Sequence, residues 1–452
     1  MRRFVHTLAL FRTLATCASI PAVHVDRCAL SRTVKVFGVR LEGKQTSAFI
    51  RAARPHLLKL PNTKVVRIGA MGHRVVLLDE SLQDEDSLPH SLKSTIAALA
   101  GSLTREEIAL SYEDLSAPEV LRRLLPSDVQ VPTGYEEVGH IIHVNLKPEQ
   151  RPHRFLIGRV LLDKLSPRIR TVANKADEIS SEFRTLPLEL IAGDDDFAVA
   201  VQHGSAVLAF DYRKVYWSSR LQTEHERIAA SFQPDEVVWD LFAGVGPFAV
   251  LAAQRGVRVL ANDLNPDSCA ALVDNVGRNR LHALVQVYNL DAATFARLAT
   301  SYLAARTCCT SGKSVEVDGE DAFSAARLSS DPKGGDRDVD AAAKGVAKGA
   351  EECMPSHILL NLPADAIRFL EGLQPLSALL GAHPTLAAPR VHCYSFSKLD
   401  DPEQQLLEAQ GRVAESLGLA SPPAGLTVRS VRSVAPGKEM LCVEFMLPRV
   451  GV

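Results

Sequence analysis

Runs of apolar residues along the chain switch between two periods. Val34-Lys-Val-Phe-Gly-Val-Arg-Leu41 alternates as a strand does, and Lys64–Ile68 and Arg74–Leu78 read the same way. Ser47–Leu58, between the first two, has helical spacing. A proline-punctuated stretch, 126–155, encloses a further strand, His140–Leu146, which Lys147-Pro148 ends because proline cannot donate to a ladder. From 216 onward, short apolar runs near 235–240, 257–263, 283–290, 357–362 and 390–396 alternate with helical patterns. Two last strands, 426–435 and 440–448, are joined by Pro436-Gly437-Lys438.

This order predicts an α/β chain with four regions. Residues 1–33 form a leader, 34–125 an N-terminal α/β domain, and 126–215 a middle domain. Residues 216–452 form a doubly wound domain of five parallel strands plus an antiparallel pair. Residues 305–355 interrupt it. They are rich in Ala, Gly, Ser, Asp and Lys, with Phe323 their one aromatic residue, and they read as a disordered insertion.

Composition narrows the class. The chain has 452 residues, 46% of them hydrophobic, and a net charge of −2, so any nucleic-acid contact must use a local patch. The clearest basic window holds Lys147, Arg151, Arg154, Arg159, Lys164, Arg168, Arg170 and Lys175 against Glu149 and Asp163; it reads either as a phosphate-contacting face or as a solvated one. The eight cysteines form no C-x-x-C pair, which argues against a zinc or disulfide framework. No segment reaches the ~18–20 uninterrupted apolar residues of a spanning helix. Residues 1–25 carry Arg2, Arg3 and Arg12 and no acid before Asp26, the pattern of a mitochondrial transit peptide, and Arg12 breaks the apolar run that a secretory signal needs.

The chemistry concentrates in Asp240-Leu-Phe-Ala-Gly-Val-Gly-Pro-Phe248. An apolar run ends in an acid, then Gly244 and Gly246 let the backbone turn and approach a ligand. The next strand, Val257–Asp263, also ends in an acid. Carboxylates around a glycine turn suit ribose hydroxyls. A nicotinamide site expects a third glycine and a helix N-terminus facing a pyrophosphate, which Asp240 would repel. The loop is similar to the S-adenosyl-L-methionine site of Rossmann-like class I methyltransferases, whose cofactor has no phosphate and carries a sulfonium. The fourth strand ends in Asn361-Leu-Pro363, which resembles the Asn-Pro-Pro of methyltransferases acting on base nitrogens; an ordinary Asx turn is the plain alternative. In Lys214–Ile228, Tyr216 and Trp217 offer stacking faces, and Thr223 is a candidate helix cap.

Taken together, Gly139–Leu146, Val172–Lys175, Lys214–Trp217, Arg220–His225, Asp240–Phe248, Ala261–Pro266, Asn289–Asp291, Asn361–Pro363, His392–Lys398 and Val434–Cys442 resemble, in order, the archaeal and eukaryotic tRNA (guanine-N1) methyltransferases that modify guanosine 37. The resemblance implies Glu224 as the general base that takes the N1 proton. It implies Arg184 as the cation steadying charge on guanine O6, and Asn361 and Pro363 as holding and shaping the base pocket. Tyr216, Asp240, Phe242, Gly244, Gly246, Asp263 and Asp291 would line the cofactor site, Asp263 at the ribose and Asp291 at the adenine amino group. It implies tRNA as partner. Nothing in the sequence demands a membrane, an obligate protein partner or more than a monomer, and the N-terminal pattern predicts a mitochondrial matrix address, with nucleus and cytoplasm as further sites. A wybutosine-pathway aminocarboxypropyl transferase and a non-catalytic RNA-binding module are the alternatives.

Overall fold

The structure is a computed structural model describing residues 21, 23–60, 63–69, 72–176, 183–309, 323–324, 326–328 and 354–450. Residues 1–20, most of the expected leader, lie outside these, as do 310–322 and 329–353 of the expected insertion. Two compact units result, one of residues 1–176 with 188–196 and one of 177–187 with 197–452.

In the first unit, β1 (Arg32–Glu42), β2 (Val66–Ile68), β3 (His73–Leu77) and β4 (Ser102–Leu110) form an antiparallel sheet in the order β2-β3-β1-β4, with α1 (Thr46–Ala52) and α2 (His90–Ala98). β1 is apolar on both faces. Val34 and Val36 enter one core while Phe37, Val39 and Leu41 enter another. β4 escapes hydrophobic periodicity because Arg105, Glu106 and Glu107 crowd its centre; Lys35 and Arg67 pair with those acids.

α3 (Ala117–Leu124), opened by a Ser116–Glu119 capping box, leads to a second sheet, β5-β6-β7-β8. Its strands are β5 (Glu136–Val138), β6 (Ile141–Val144), β7 (Thr171–Lys175) and β8 (Leu188–Gly193), and α4 (Arg154–Leu165) makes the parallel β6–β7 crossover. The boundary expected at 125/126 separates no core. Val34, Leu77, Leu110 and Leu121 pack in one cluster with Ile142, Ile157, Val172 and Ile191. The basic window is not a bare cationic face either. Arg154 pairs with Glu189, Arg159 with Asp163, Arg168 with Glu137 and Arg170 with Asp196, and Lys164 sits over the Tyr112 ring.

The second unit starts earlier than the expected 216. The hairpin β9 (Ala198–His203) and β10 (Ala206–Asp211) is fastened to it by Asn275 Oδ1, which accepts from the Ala209 amide at 2.7 Å, and by Phe210 packing on Trp217. After α5 (Gln222–Ser231) the main sheet follows: β11 (Val237–Asp240), β12 (Arg258–Asn262), β13 (Val285–Tyr288), β14 (Arg327–Leu328), β15 (His357–Leu360), β16 (Arg390–Ser397), β17 (Thr427–Ala435) and β18 (Lys438–Met446). The order is β14-β13-β12-β11-β15-β16-β18-β17; β11, β12, β13, β15 and β16 run parallel and β18 antiparallel to β16. This is the expected Rossmann-like arrangement.

Helices α6 (Pro247–Ala253), α7 (Pro266–Arg278), α8 (Ala292–Cys309), α9 (Gln374–Ala382) and α10 (Pro402–Leu417) flank the sheet. α7 and α10 start the same way, on Asn265 and Asp401 side-chain caps followed by proline. The core stacks Trp239, Tyr288, Phe295, Leu360 and Val391, each almost wholly buried and each worth on the order of 1.5–3 kcal/mol. Part of the expected insertion belongs to this core. α8 extends to Cys309, Phe323 is buried with its ring stacked 4.7 Å from Tyr288, and Arg327–Leu328 pair with β13.

Candidate active site

Strand order reverses between β12 and β15, on either side of β11, and ligands of open α/β sheets bind at the carboxyl ends of strands at such a point. The loop after β11 is built there. The Leu241 amide donates to Leu359 O, the Ala243 amide to Asn262 O, and the Gly246 amide closes onto Ala243 O at 2.9 Å. The two glycines have different tasks. Both adopt the left-handed region (φ +55 at Gly244, +94 at Gly246), but a Cβ at Gly246 would lie 2.4 Å from Leu272, whereas one at Gly244 would meet nothing within 4 Å. Gly246 lets α7 pack against the loop, while Gly244 faces open cavity.

The Gly244 amide donates to Asp263 Oδ2 at 2.8 Å, and the Asn265 amide to Oδ1 at 2.9 Å. Each oxygen keeps acceptor capacity. Burial raises the Asp263 carboxyl, and those two amides oppose the rise. Asp291 Oδ1 accepts from the Ala293 and Thr294 amides, so this acid also caps α8. Beneath the loop, Asp240 is wholly buried, and no hydrogen bond of standard geometry reaches either oxygen. Burial first, then the Asp263 charge, push it up to about 8, with the Phe242 amide opposing.

A cavity of about 1360 Å³ opens over these strand ends. Of the residues singled out from sequence, Tyr216, Phe242, Gly244, Asp263, Asp291, Asn361, Pro363 and Arg184 line it. Arg184 adopts φ +54 and reaches Asp365 across the cavity wall; a bulky residue in that region costs on the order of 1–3 kcal/mol, so local structure holds it there. Asn361 Oδ1 is buried without a protein partner. An open glycine cradle, two acids with spare acceptor capacity and this orphan amide oxygen fit a nucleoside-bearing cofactor beside a base edge.

Three expected site residues stand elsewhere. Asp240 supports the loop from below, and Gly246 faces Leu272. Glu224 is not part of the lining. It is 7% exposed, Arg227 forks onto both its oxygens at 2.7 Å, and Tyr394 donates its hydroxyl to Oε1 at 2.9 Å. A short 3-10 turn, Ser219–Leu221, starts α5 early, so Leu221 and not Thr223 is its cap. Trp217 is packed against Phe210 and His203, and only Tyr216 of that pair is exposed.

Sequence reading missed the asparagines that hold the site. Buried Asn262 donates to Leu241 O and Leu290 O and accepts from the Leu290 amide, tying three strand ends together. Asn289 donates to Asp263 O and Leu264 O, and Asn275 to Val245 O. For Asn262 and Asn289, an asparagine within or directly after an apolar strand was the available signal; Asn275 lies inside α7 and carried none. His225 was also missed. It is buried, lines the cavity, bonds His203 at 3.1 Å, and burial drives it well below the ordinary histidine range.

Comparison with known proteins agrees with this geometry. Residues 198–307 match the TRM5/TYW2 methyltransferase domain, and 118–196 the TYW2 N-terminal domain, with the break at the boundary between the two compact units. The tRNA (guanine(37)-N(1))-methyltransferase of Phytophthora infestans is 34% identical over 94% of this chain and 92% of its own length. The chain belongs to the tRNA (guanine(37)-N(1))-methyltransferase family. The enzyme so named from Schizosaccharomyces pombe is 34% identical over 94% of both chains, and that of Danio rerio 33% identical over 98% of this chain and 85% of its own. Trm5b from Pyrococcus abyssi shares the fold, with a TM-score of 0.54 at 22% identity over 91% of this chain and 99% of that one. So does aTrm5, solved with tRNALeu, with a TM-score of 0.54 at 20% identity over 91% and 99%. No described helix of this family member is long and apolar enough to cross a membrane.

Proposed function

We propose that the protein transfers the methyl group of S-adenosyl-L-methionine to N1 of guanosine 37 in tRNA, next to the anticodon. The observation that carries this reading is the single cavity that brings Gly244, Asp263 and Asp291 together with Arg184, Asn361 and Pro363. Bound there, the cofactor supplies an electrophilic methyl group on a sulfonium.

The chain's own residues do the rest. Asp263 would hold the ribose hydroxyls with the capacity its two amide bonds leave, and Asp291 would hold the adenine amino group. Tyr216 and Phe242 wall the pocket. A guanosine splayed out of its loop meets Asn361 along its edge, and Pro363 fixes the shape beside it. Guanine N1 is protonated and becomes nucleophilic as the proton leaves. Glu224, which stands outside the cavity lining of the unliganded protein, would take that proton on Oε2, which among the described residues accepts from Arg227 Nε, while Oε1 is already engaged by Arg227 and Tyr394. Arg184 steadies the charge that moves onto O6. With the cofactor bound, the N1–H bond would break toward Glu224 while N1 takes the methyl carbon, the methyl–sulfur bond breaking and its electron pair staying on sulfur as a neutral thioether; alignment of the two reactants would supply much of the acceleration.

The test uses purified protein, methyl-labelled cofactor, and unmodified tRNA transcripts with guanosine or adenosine at position 37. Label enters the guanosine transcript alone, and Glu224→Gln lowers the rate by about 100-fold or more while cofactor and tRNA affinities hold. Equal labelling of both transcripts would remove the target base. Label that enters only from the cofactor's aminocarboxypropyl carbons would favour the wybutosine-pathway chemistry. The same reading places the protein in the mitochondrial matrix, and in nucleus and cytoplasm, as a monomer without an obligate protein partner. Arg2, Arg3 and Arg12 without an acid before Asp26 support the first address, which a fluorescent fusion with and without residues 1–33 tests.

A further inference from the structure

The end of the expected leader is built into the first compact unit. Asp26 Oδ1 accepts from the Cys28 and Ala29 amides, each at 3.1 Å, and the Ser31 amide closes onto Cys28 O at 3.1 Å. This side-chain-held turn feeds the chain into β1, where Arg32 and Thr33 pair with Leu110 and Ala109. Two apolar side chains and one cation fasten it. Leu30, 6% exposed, lies in the core cluster of Val34, Leu110, Tyr112 and Leu121, and Val25 packs against the same cluster. Arg27 forks on the outer side. Its Nη1 lies 3.2 Å from Glu113, its Nη2 3.0 Å from Asp163, and its guanidinium carbon 4.8 Å from the centre of the Tyr112 ring. The Asp163 side chain also accepts from the Tyr112 hydroxyl at 3.3 Å and pairs with Arg159 at 2.9 Å. Part of the matching of this largely buried charge therefore comes from the leader.

Counted by charge alone, Arg27 extends the basic leader. The surrounding sequence separates it from the others. Arg2, Arg3 and Arg12 stand in 25 residues without an acid, as the cations of a targeting segment do, whereas Arg27 follows the first acid, Asp26. Its charge is committed to Glu113 and Asp163. A leader removed during import is cut from an unfolded chain, so the fold does not choose the bond by shielding it. The fold sets how much can be lost. A cut after residue 33 takes Leu30 out of a close-packed core, Arg27 from Asp163, and Arg32 from Glu80, 3.0 Å away. A cut before Val25 takes none of these.

We infer that the leader ends no later than His24, and that Val25–Ser31 stays in the mature protein as a strap of the first unit. The inference rests on the mitochondrial address proposed above. An endopeptidase of the importing compartment hydrolyses one peptide bond between Arg12 and Val25. Water supplies the hydroxyl of the new carboxyl group and a hydrogen of the new amino group, so nothing else is consumed. The piece removed carries Arg2, Arg3 and Arg12. The piece retained includes Val25, which packs against the core cluster, the Asp26 turn, Arg27 and Leu30.

The test expresses the full chain with a C-terminal tag in cells, recovers it from purified mitochondria, and reads its first residue by mass spectrometry of the N-terminal peptide. That residue is expected after Arg12 and no later than Val25. A first residue later than Val25, or an uncut chain in the matrix, would overturn the boundary. In parallel, thermal unfolding compares the full chain, its Leu30→Ala variant, and forms starting at Val25 and at Val34. The Val25 form is expected to melt with the full chain, Leu30→Ala about 5 °C or more below it, and the Val34 form lower still. A Val34 form or a Leu30→Ala variant as stable as the full chain would overturn the strap. A protein found outside mitochondria alone, with Arg2, Arg3 and Arg12 intact, would sink the address and the boundary with it, while the melting temperatures still decide the strap.

Discussion

Asp240 and Glu224 are both buried carboxyls of the second compact unit, and the protein treats them in opposite ways. Glu224 meets a forked guanidinium and a tyrosine hydroxyl, so its charge is matched on the spot. Asp240 meets apolar neighbours and the negative field of Asp263, with only the Phe242 amide against them. Burial alone therefore does not say what an acid is for. The partners decide whether its charge is matched, or left unmatched so that the protonated form is favoured.

Breaking the matched pair should give the largest effect. Arg227→Leu leaves a buried carboxylate without its cation, and apo-protein stability should fall by about 3 kcal/mol in denaturant unfolding. This is the low end for a buried pair, since Arg227 is 25% exposed. An unchanged midpoint would mean that Glu224 finds another partner.

Asp240 tests the other side. Its folded carboxyl holds the proton up to about pH 8, whereas an unfolded one releases it near 3.8. A raised carboxyl contributes its full stability below the unfolded value and loses it as pH climbs toward the folded one. Apo stability should thus decline by up to about 1.4 kcal/mol per pH unit between about 4 and 8. Asp240→Asn, neutral at every pH, should flatten that decline in thermal unfolding across pH 5 to 8.5. Parallel curves for the two proteins would show that Asp240 is ionised in the apo fold.

Gly244→Ala should be the mildest change. The left-handed backbone costs about 1 kcal/mol, but the new methyl enters open cavity. Calorimetry should therefore find S-adenosyl-L-methionine affinity reduced about 10-fold with little change in melting temperature. Unchanged affinity would place the cofactor away from this loop.

The parallel strands were legible because each is an apolar run bounded by glycine, proline or an acid, and a buried strand leaves few other sequences open to it. Gly244, Asp263, Asp291, Asn361 and Pro363 were legible because they sit at the ends of such strands, where topology alone sends side chains toward one rim. β4 was not, since charged pairs with Lys35 and Arg67 replace the alternation that marks a strand. The start of the second unit was not legible either. The β9–β10 hairpin reads like its predecessor in sequence, and its bonds to Asn275 and Asn279, with Phe210 packed on Trp217 and His203 bonded to His225, assign it.

The sequence by itself determined the Rossmann-like order, the glycine loop, the strand-end acids and the family, because short-range rules and ordered motifs carry that information along one dimension. Tertiary structure decided which acids face the cavity and which are buried under it. It also decided that Phe323 ties part of an insertion into the core, and that Glu224 accepts the hydroxyl of Tyr394, 170 residues away. Those facts depend on what lies within a few ångströms across strands far apart in the chain, and desolvation and hydrogen bonding act over that distance, not along the sequence.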